Sequence, residues 1–321
     1  MSPEPATRTT TADFRRHLRD APLMLTEGSM YERLRRDPAV EFDPDIAHAA
    51  LIYDEGARVT LEGVHGEYIA VAQRHGLPMI VTASTWRGNQ ARIARSRHAG
   101  AAVNQDNVAF VRGLADDRST DAAPLFVAGA LGPAGDAYRP DEARDADAAA
   151  RVHAVQIEAL AEAAPDLIVA ATLPAVSEAR GIARVLDGTG LPYLLSFVVR
   201  DTGTLLDGTP LGEALDTIDQ ERGNPPIGYM VNCVHPQVLG ACLDAAGESA
   251  SERIVGLRAN TSTLRPQDLD EAAALITQPP DELAEHMLET RRRHGLRIVG
   301  GCCGTGTAHI DRIAAHCKAS A

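Results

Sequence analysis

The sequence predicts a single α/β domain, a closed (β/α)8 barrel of the TIM type. Eight short apolar runs alternate with segments of helical periodicity along almost the whole chain, and no Pro- or Ser-rich linker divides it. Continuous apolar runs predict the strands of a parallel sheet that is covered by helices. Eight such units in 321 residues suit a barrel, which needs about 250 residues. A doubly wound open sheet is the alternative, and the number of units favours the barrel.

The first twenty residues are predicted as an N-terminal extension of the barrel domain, which is assigned residues 21–321. Residues 1–11 are polar and predict a disordered leader, and helical spacing predicts a short helix at 13–19. The leader lacks the apolar centre of a signal peptide.

Each predicted strand is a short run of aliphatic and β-branched residues that ends in small or polar residues. The first run ends in Glu27 and Gly28, the third in a Gly-Pro loop, and the sixth in Asn232 and Cys233. In chain order the predicted strands lie at 23–26, 78–82, 125–128, 167–170, 193–198, 227–231, 253–257 and 296–299.

The segments between the strands have helical spacing and recognisable ends. An aspartate N-cap precedes a predicted helix at 45–54, within a polar insert. Gly76 ends the predicted helix at 67–75, and Pro165 ends the alanine-rich helix at 142–164. The other predicted helices lie at 90–99, 104–117, 176–186, 211–220, 237–246, 266–275, 281–294 and 308–316.

Composition restricts the function classes. The formal net charge of −13 argues against nucleic acid as a partner, because phosphate binding needs clustered Lys and Arg. No apolar run approaches the roughly 20 residues that span a bilayer, so no membrane partner is expected. Five cysteines, two of them adjacent, make a poor disulfide framework. A reducing, cytoplasmic location with metal-binding or reactive thiols is expected, and the oligomeric state is left open.

Three cysteines at predicted strand ends indicate a soft metal site. Cys233 follows the sixth strand, and Cys302 and Cys303 follow the eighth among glycines that permit an unusual backbone. Active sites of such barrels form at the carboxyl ends of the strands, where these side chains can meet. Three thiolates suit Zn²⁺ and leave a fourth position open. A sulfur-rich zinc site favours a substrate thiol, which metal binding deprotonates. The cofactor prediction is therefore zinc, and the partner predicted is a small-molecule thiol.

Other residues at strand ends are candidates for substrate binding: Glu27, Gly28, Trp86, Thr172 and Asn232. Simpler interpretations stand beside these. The cysteines could be buried structural thiols, and the glycine-rich segment 300–306 could bind phosphate. Glu27 could cap a helix, Trp86 could be core packing, and Asn232 could satisfy backbone groups near the metal. His235 is interpreted as a solvated loop histidine and not as a fourth ligand.

The motifs resemble those of the homocysteine S-methyltransferase family, and the resemblance covers most of the chain. It is carried by TEGSM at 26–30, ASTWRGN at 83–89, AGALGP at 128–133, SF at 196–197, DGT at 207–209, VNC at 231–233 and GGCCGT at 300–305. The resemblance implies a (β/α)8 barrel, zinc bound by Cys233, Cys302 and Cys303, and homocysteine sulfur joining the metal.

The sequence departs from the family pattern in three places. Glu27 stands where the family usually has Asp, and Asn260 with the two residues after it replaces a usual Pro-Asn-Ser/Ala-Gly segment. Ala171 stands in place of a Glu that, in the family, holds the substrate amino group. If no other group replaces this acid, the substrate ammonium loses its partner, at a cost on the order of 2–5 kcal/mol of binding free energy. Either another acid, for which Glu27 is the candidate, takes over, or the substrate is not homocysteine.

The leading hypothesis is a zinc-dependent S-methyltransferase that moves a methyl group from a small onium donor to a zinc-bound thiol, with homocysteine giving methionine. S-methylmethionine or S-adenosylmethionine is the expected donor, and betaine is a further possibility. The alternatives are methyl transfer to or from a different thiol or selenol, motivated by Ala171, and a non-catalytic zinc- and thiol-binding protein.

Overall fold

The structure, a computed structural model, describes residues 9–220, 223–270 and 276–318. Within these ranges, eight parallel strands form a closed barrel in chain order, and the last strand returns to the first, with Met24 opposite Ile298. The predicted barrel is confirmed. The strands are β1 (Met24–Thr26), β2 (Met79–Thr82), β3 (Leu125–Leu131), β4 (Leu167–Leu173), β5 (Tyr193–Phe197), β6 (Gly228–Val234), β7 (Ile254–Ala259) and β8 (Ile298–Gly301).

Helices connect the strands and surround the barrel. They are α1 (Thr11–Asp20), α2 (Met30–Arg35), α3 (Glu55–His75), α4 (Gln90–Ile93), α5 (Val103–Arg118), α6 (Ala146–Glu162), α7 (Val176–Asp187), α8 (Leu211–Asp219), α9 (Pro236–Ala246), α10 (Glu248–Arg253), α11 (Pro266–Asp270), α12 (Pro280–His294) and α13 (Thr307–Lys318). Short 3₁₀ helices lie at His48–Tyr53 and Pro140–Glu142. Residues 1–8 of the predicted leader and 271–275 of a predicted helix lie outside the described residues. No helix in the described ranges is long and apolar enough to cross a membrane.

The helices between β1 and β3 depart most from the prediction. The predicted helix at 67–75 is the end of the 21-residue α3, and the predicted helix at 45–54 is mostly the short 3₁₀ helix. Asp54 explains the boundary, because its Oδ1 accepts a hydrogen bond from Ala57 N at 2.8 Å and starts α3 there. Glycines inside α3 mask its length, since glycine is a weak helix former. The predicted helix at 90–99 was also too long, because α4 has 4 residues.

Five strands extend beyond the predicted runs toward the carboxyl end of the barrel, β7 and β8 by two residues each. β3, β4 and β6 each continue for three residues after the predicted last residue. The continuation brings Ala171 and Thr172 into β4, and Asn232 and Cys233 into β6. The extra residues of β4 and β6 are irregular, because the pairing register shifts within them. These strand ends build the site described below.

Helix α1 closes the amino-terminal end of the barrel. Thr10 and Asp13 form a capping box at its start, and Arg297, just before β8, donates to the Leu18 carbonyl at 3.2 Å. Phe14 is fully buried and packs edge-on against Phe126 of β3, with ring centroids 5.4 Å apart. The side chains that fill the barrel interior therefore include Phe14 and Leu18 of α1, from outside the eight strands.

Replacing Phe14 with alanine should destabilise the protein by about 3–5 kcal/mol, because the change leaves a cavity under the barrel. Urea unfolding measures this loss. The matched control is Val59→Ala, since Val59 is 66% exposed and should change the free energy of unfolding by less than about 0.5 kcal/mol. An equally small effect at Phe14 would show that α1 does not stabilise the barrel.

Candidate metal centre and substrate pocket

The structure brings the three predicted cysteines together at the carboxyl end of the barrel. Cys233 lies in β6, and Cys302 and Cys303 follow β8 directly. Cys233 Sγ is 2.9 Å from Cys302 Sγ, and the Sγ atoms of Cys302 and Cys303 are 4.0 Å apart. Among the described residues this is the one group of three or more His, Cys, Asp or Glu side chains whose ligand atoms converge. A single ion could be held by all three sulfurs.

Irregular backbone at the ends of β4 and β6 shapes this site. Cys233 has φ of 60° and Thr172 has φ of 65°, a left-handed conformation that costs a residue with a side chain about 1–2 kcal/mol. At Cys233 the register with β7 shifts between Asn232 and Val234. The shift breaks the strict alternation of side chains along a strand and lets Cys233 reach the cysteines after β8.

Glycines allow the segment after β8 to pack closely. A Cβ on Gly300 would collide with the Thr26 hydroxyl of β1, and a Cβ on Gly304 would collide with the Thr261 hydroxyl. Gly304 also has φ of 83°, which favours glycine. Gly300 and Gly304, on either side of the two cysteines, are therefore needed so that the backbone can pack closely against Thr26 and Thr261.

Asn232 links the two irregular strand ends. Its Oδ1 accepts hydrogen bonds from Thr172 N at 3.0 Å and from Ser196 Oγ at 2.6 Å. Its Nδ2 donates to Thr172 Oγ1 at 2.8 Å and to Cys233 Sγ at 3.1 Å. Asn232 is 3% exposed. The structure therefore brings Asn232 and Thr172, both predicted to bind substrate, into one hydrogen-bonded group with Cys233.

Asn260, which follows β7, links the two cysteine segments from the other side. Its Nδ2 donates to the Cys233 carbonyl at 2.8 Å, and its Oδ1 accepts from Cys303 N at 3.0 Å. In the sequence, Asn260 stands out only as a departure from the family pattern. Its position directly after a strand was the signal for a role in the site.

Tyr138, in the loop after β3, also contacts the metal centre and was missed from the sequence. Its hydroxyl hydrogen bonds to Cys233 Sγ, and burial raises the pKa of this phenol well above its usual value. Nothing in the sequence indicated this contact, because the residue lies in an irregular loop seven residues beyond the end of β3.

The electrostatics of the cluster favour one thiolate at Cys233. Hydrogen bonds from Cys302 and Cys303 hold the pKa of Cys233 well below its usual range. The contact with Cys233 raises the pKa of Cys302 to about 12 and also raises that of Cys303. Three converging sulfur donors, with no carboxylate or imidazole among them, fit a soft, tetrahedral ion such as Zn²⁺.

His235 is not a ligand, and the prediction of a solvated loop histidine was wrong. The residue is 2% exposed. Its Nε2 lies 2.9 Å from Gln278 Oε1, and its Nδ1 accepts from Gln237 N at the start of α9. Both ring nitrogens are therefore occupied.

Glu27 and Gly28 lie at the end of β1, and the geometry of the Glu27 side chain differs from the predicted substrate contact. The carboxylate is fully buried. His65 Nδ1 lies 2.5 Å from Oε1, and Thr82 N donates to Oε2 at 2.9 Å. Both oxygens thus hold α3 and β2 against β1, and the carboxylate is not free to replace the missing acid. Gly28 gives the Tyr68 ring close access, since a Cβ there would lie 2.7 Å from its hydroxyl.

Trp86 contacts Ala171, the residue at which the sequence departs from the resembled pattern. Its indole Nε1 donates to the Ala171 carbonyl at 3.1 Å. The Arg87 guanidinium lies over its ring, 4.3 Å from the centroid. Trp86 is half-buried, and Ala171 is 6% exposed. An aromatic ring and a cation therefore lie beside Ala171 at this end of the barrel.

Comparisons with known proteins agree on one family. A family model described as homocysteine S-methyltransferase matches residues 24–317. Homocysteine S-methyltransferase YbgG of Bacillus subtilis (strain 168) is 24% identical over 316 residues, which cover 93% of this chain and 96% of that protein. Homocysteine S-methyltransferase of Escherichia coli (strain K12) is 29% identical over 210 residues, 60% of this chain and 63% of that protein. The metallated form of homocysteine methyltransferase MmuM from Escherichia coli matches with a TM-score of 0.74 at 22% identity, covering 94% of this chain and 99% of that one.

Proposed function

Because the chain belongs to the homocysteine S-methyltransferase family and is a methyltransferase enzyme, we propose that it transfers a methyl group from a small onium donor to a thiol bound at the cysteine cluster. Homocysteine, which would give methionine, is the first acceptor to test. The observation that carries the proposal is the convergence of the Cys233, Cys302 and Cys303 sulfurs.

Zinc is the metal proposed for these three residues. Zn²⁺ held by three thiolates would supply a soft Lewis acid. It would lower the pKa of an acceptor thiol, so that the bound thiol loses its proton near neutral pH. With three protein ligands, a zinc ion would have a fourth position for that thiol. The donor set supports this assignment, because sulfur ligands select soft metals.

The surrounding residues would hold the cysteines in place for the reaction. Asn232 and Tyr138 donate hydrogen bonds to Cys233 Sγ, and such contacts tune metal ligands. Asn260 fixes the distance between the Cys233 and Cys303 backbones. The low exposure of Cys233, at 3%, keeps water from one side of the site, which strengthens charge interactions within it.

In the proposed reaction, the acceptor thiolate attacks the donor methyl carbon in line. A new carbon–sulfur bond forms, and the electron pair of the broken carbon–sulfonium bond stays with the donor sulfur, which leaves as a neutral thioether. S-methylmethionine and S-adenosylmethionine are the first donors to test. Betaine is the third, and its leaving group is a tertiary amine.

A different acceptor thiol or selenol is the second candidate. The observation that favours it is the Trp86 contact with Ala171, where the family pattern expects a carboxylate for the substrate ammonium. With the Glu27 carboxylate engaged by His65 and Thr82, no substitute acid is supplied from β1.

The test combines the zinc-loaded protein with each donor, carrying an isotope-labelled methyl group, and with homocysteine or other thiols. The expected result is a labelled thioether from at least one donor and thiol pair, and none from the Cys302→Ala variant. The absence of methyl transfer from every donor to every thiol would contradict the proposed function. Transfer to other thiols with none to homocysteine would select the second candidate.

A further inference from the structure

Arg87 is a half-buried cation that has no anionic partner in the described part of the chain. Its guanidinium stacks on the Trp86 ring, and it makes no hydrogen bond or ion pair with any residue in 9–220, 223–270 or 276–318. Arg112, another arginine withdrawn from solvent, has a partner, since its Nη2 lies 2.9 Å from Asp166 Oδ2. An arginine offers five donors in a planar fork that matches a carboxylate, so the fork of Arg87 is available to a ligand.

The surroundings of Arg87 make this arrangement costly without an anion. Burial lowers the pKa of the guanidinium, and the positive charge of Arg92 lowers it further, although arginine stays charged in proteins. The acidic group that faces it, Asp136, is exposed and accepts a hydrogen bond from Tyr138 N. The phenols of Tyr31 and Tyr138 are the remaining groups near its charge. A desolvated, unpaired charge is unfavourable, and a bound anion would relieve it.

Two chains of contacts connect Arg87 to the metal centre. The first runs through Trp86, whose indole bonds to Ala171, to the adjacent Thr172, which Asn232 joins to Cys233. The second runs through Tyr138, which lies in the electrostatic surroundings of Arg87 and hydrogen bonds to Cys233 Sγ. Arg87 therefore lies at the same mouth of the barrel, on the side of β2 and β4.

We propose that Arg87 binds the carboxylate of the acceptor, so that this enzyme recognises a carboxylate-bearing thiol by its negative charge and does not require an ammonium group. This inference rests on the proposed methyl transfer to a thiol and names the substrate class. The sequence change at Ala171 fits it, because an ammonium has lost its acid there. The Trp86 indole donates to the Ala171 carbonyl, so this carbonyl has less capacity to accept a hydrogen bond from an ammonium. The Arg87 guanidinium remains free to bind a carboxylate.

Three thiols of matched length separate the two charges. They are homocysteine, 4-mercaptobutanoate, which lacks the amino group, and 3-aminopropane-1-thiol, which lacks the carboxylate. Binding to the zinc-loaded protein is measured without donor, by calorimetry and by the fluorescence of Trp86, the single tryptophan. We expect 4-mercaptobutanoate to bind within about 3-fold of homocysteine, and 3-aminopropane-1-thiol about 30-fold or more weakly, because it leaves a charge unpaired.

Arg87→Gln should weaken the binding of both carboxylates about 30-fold and leave that of 3-aminopropane-1-thiol unchanged. Arg87→Lys, which keeps the charge without the fork, should restore part of the loss. Arg95→Gln is the control, since Arg95 pairs with Asp45 on the surface, and it should leave the binding of all three thiols unchanged. If Arg87→Gln does not fold, the three ligands on the unaltered protein still decide the question.

Two results would overturn the inference: equal affinity for 4-mercaptobutanoate and 3-aminopropane-1-thiol, or an Arg87→Gln variant that weakens all three thiols equally. The proposed function fails separately. If binding depends on the carboxylate and on Arg87 but no donor gives methyl transfer, carboxylate recognition by Arg87 stands and the proposed methyl transfer is wrong. If methyl transfer occurs and neither binding nor transfer depends on Arg87, the proposed function stands and carboxylate recognition by Arg87 is wrong.

Discussion

The Cys233→Ala variant should lose its metal and its methyl transfer together. Cys233 supplies one of three converging sulfurs and is the one that hydrogen bonds to both Asn232 and Tyr138. Two remaining sulfurs are too few to hold a catalytic zinc, which takes three protein ligands. Metal content by mass spectrometry should fall from about one ion per chain to below about 0.1. Turnover should fall on the order of 10³-fold, since the lost Lewis acid is worth several kcal/mol.

Cys242→Ala is the matched control for this experiment. Cys242 is buried in α9 and is absent from the sulfur cluster, so its replacement tests the loss of a buried thiol without the loss of a ligand. This variant should keep its metal. A Cys233→Ala protein that binds one equivalent of metal with undiminished affinity would contradict the assignment of the ligands.

Replacing Asn232 with leucine should weaken both the metal centre and the fold. Leucine has nearly the same size but makes none of the four hydrogen bonds of the carboxamide. Thr172 N would be left buried without a partner, at a cost of about 1–3 kcal/mol of stability. Cys233 would lose a donor that orients it, and metal affinity should fall about 10–100-fold. Chelator competition measures the affinity, and urea unfolding measures the stability.

Asn107→Leu provides the comparison for Asn232→Leu. Asn107 is also fully buried and donates to two backbone carbonyls, but it lies in α5, outside the metal centre. We expect this change to reduce stability and to leave metal affinity intact. If both variants bind metal equally well, Asn232 supports the scaffold only.

The sequence was sufficient to predict the barrel because each strand is buried on both faces. Such strands must be continuous apolar runs, and eight of them are visible without any structural information. Helix boundaries were less visible where glycine interrupts the pattern, as in α3, because glycine is a weak helix former and hides the length of the helix. Strand ends were misjudged for a related reason. The last residues of β4 and β6 are polar or in left-handed conformations, which an apolar pattern does not reveal.

The candidate site was partly predictable. The fold topology brings the ends of β6 and β8 to one mouth, so the meeting of Cys233 with the two later cysteines followed from sequence. The roles of Glu27 and Tyr138 depend on which side chains meet across the barrel. The sequence could not show that His65 of α3 would engage Glu27, or that a loop residue would reach Cys233. Arg87 was overlooked because an arginine beside a tryptophan is ordinary on a protein surface.

The most direct test of the proposed function is the proton released when homocysteine or 4-mercaptobutanoate binds to the zinc-loaded protein. A free thiol with a pKa of about 8.5 is almost fully protonated near pH 7, so binding as a thiolate must release its proton. Calorimetry in buffers with different ionisation enthalpies measures that release. We expect about one proton per bound thiol, and none for the Cys233→Ala variant. Thiol binding without proton release, or equal release by the variant, would contradict activation of the thiol at the three-cysteine site.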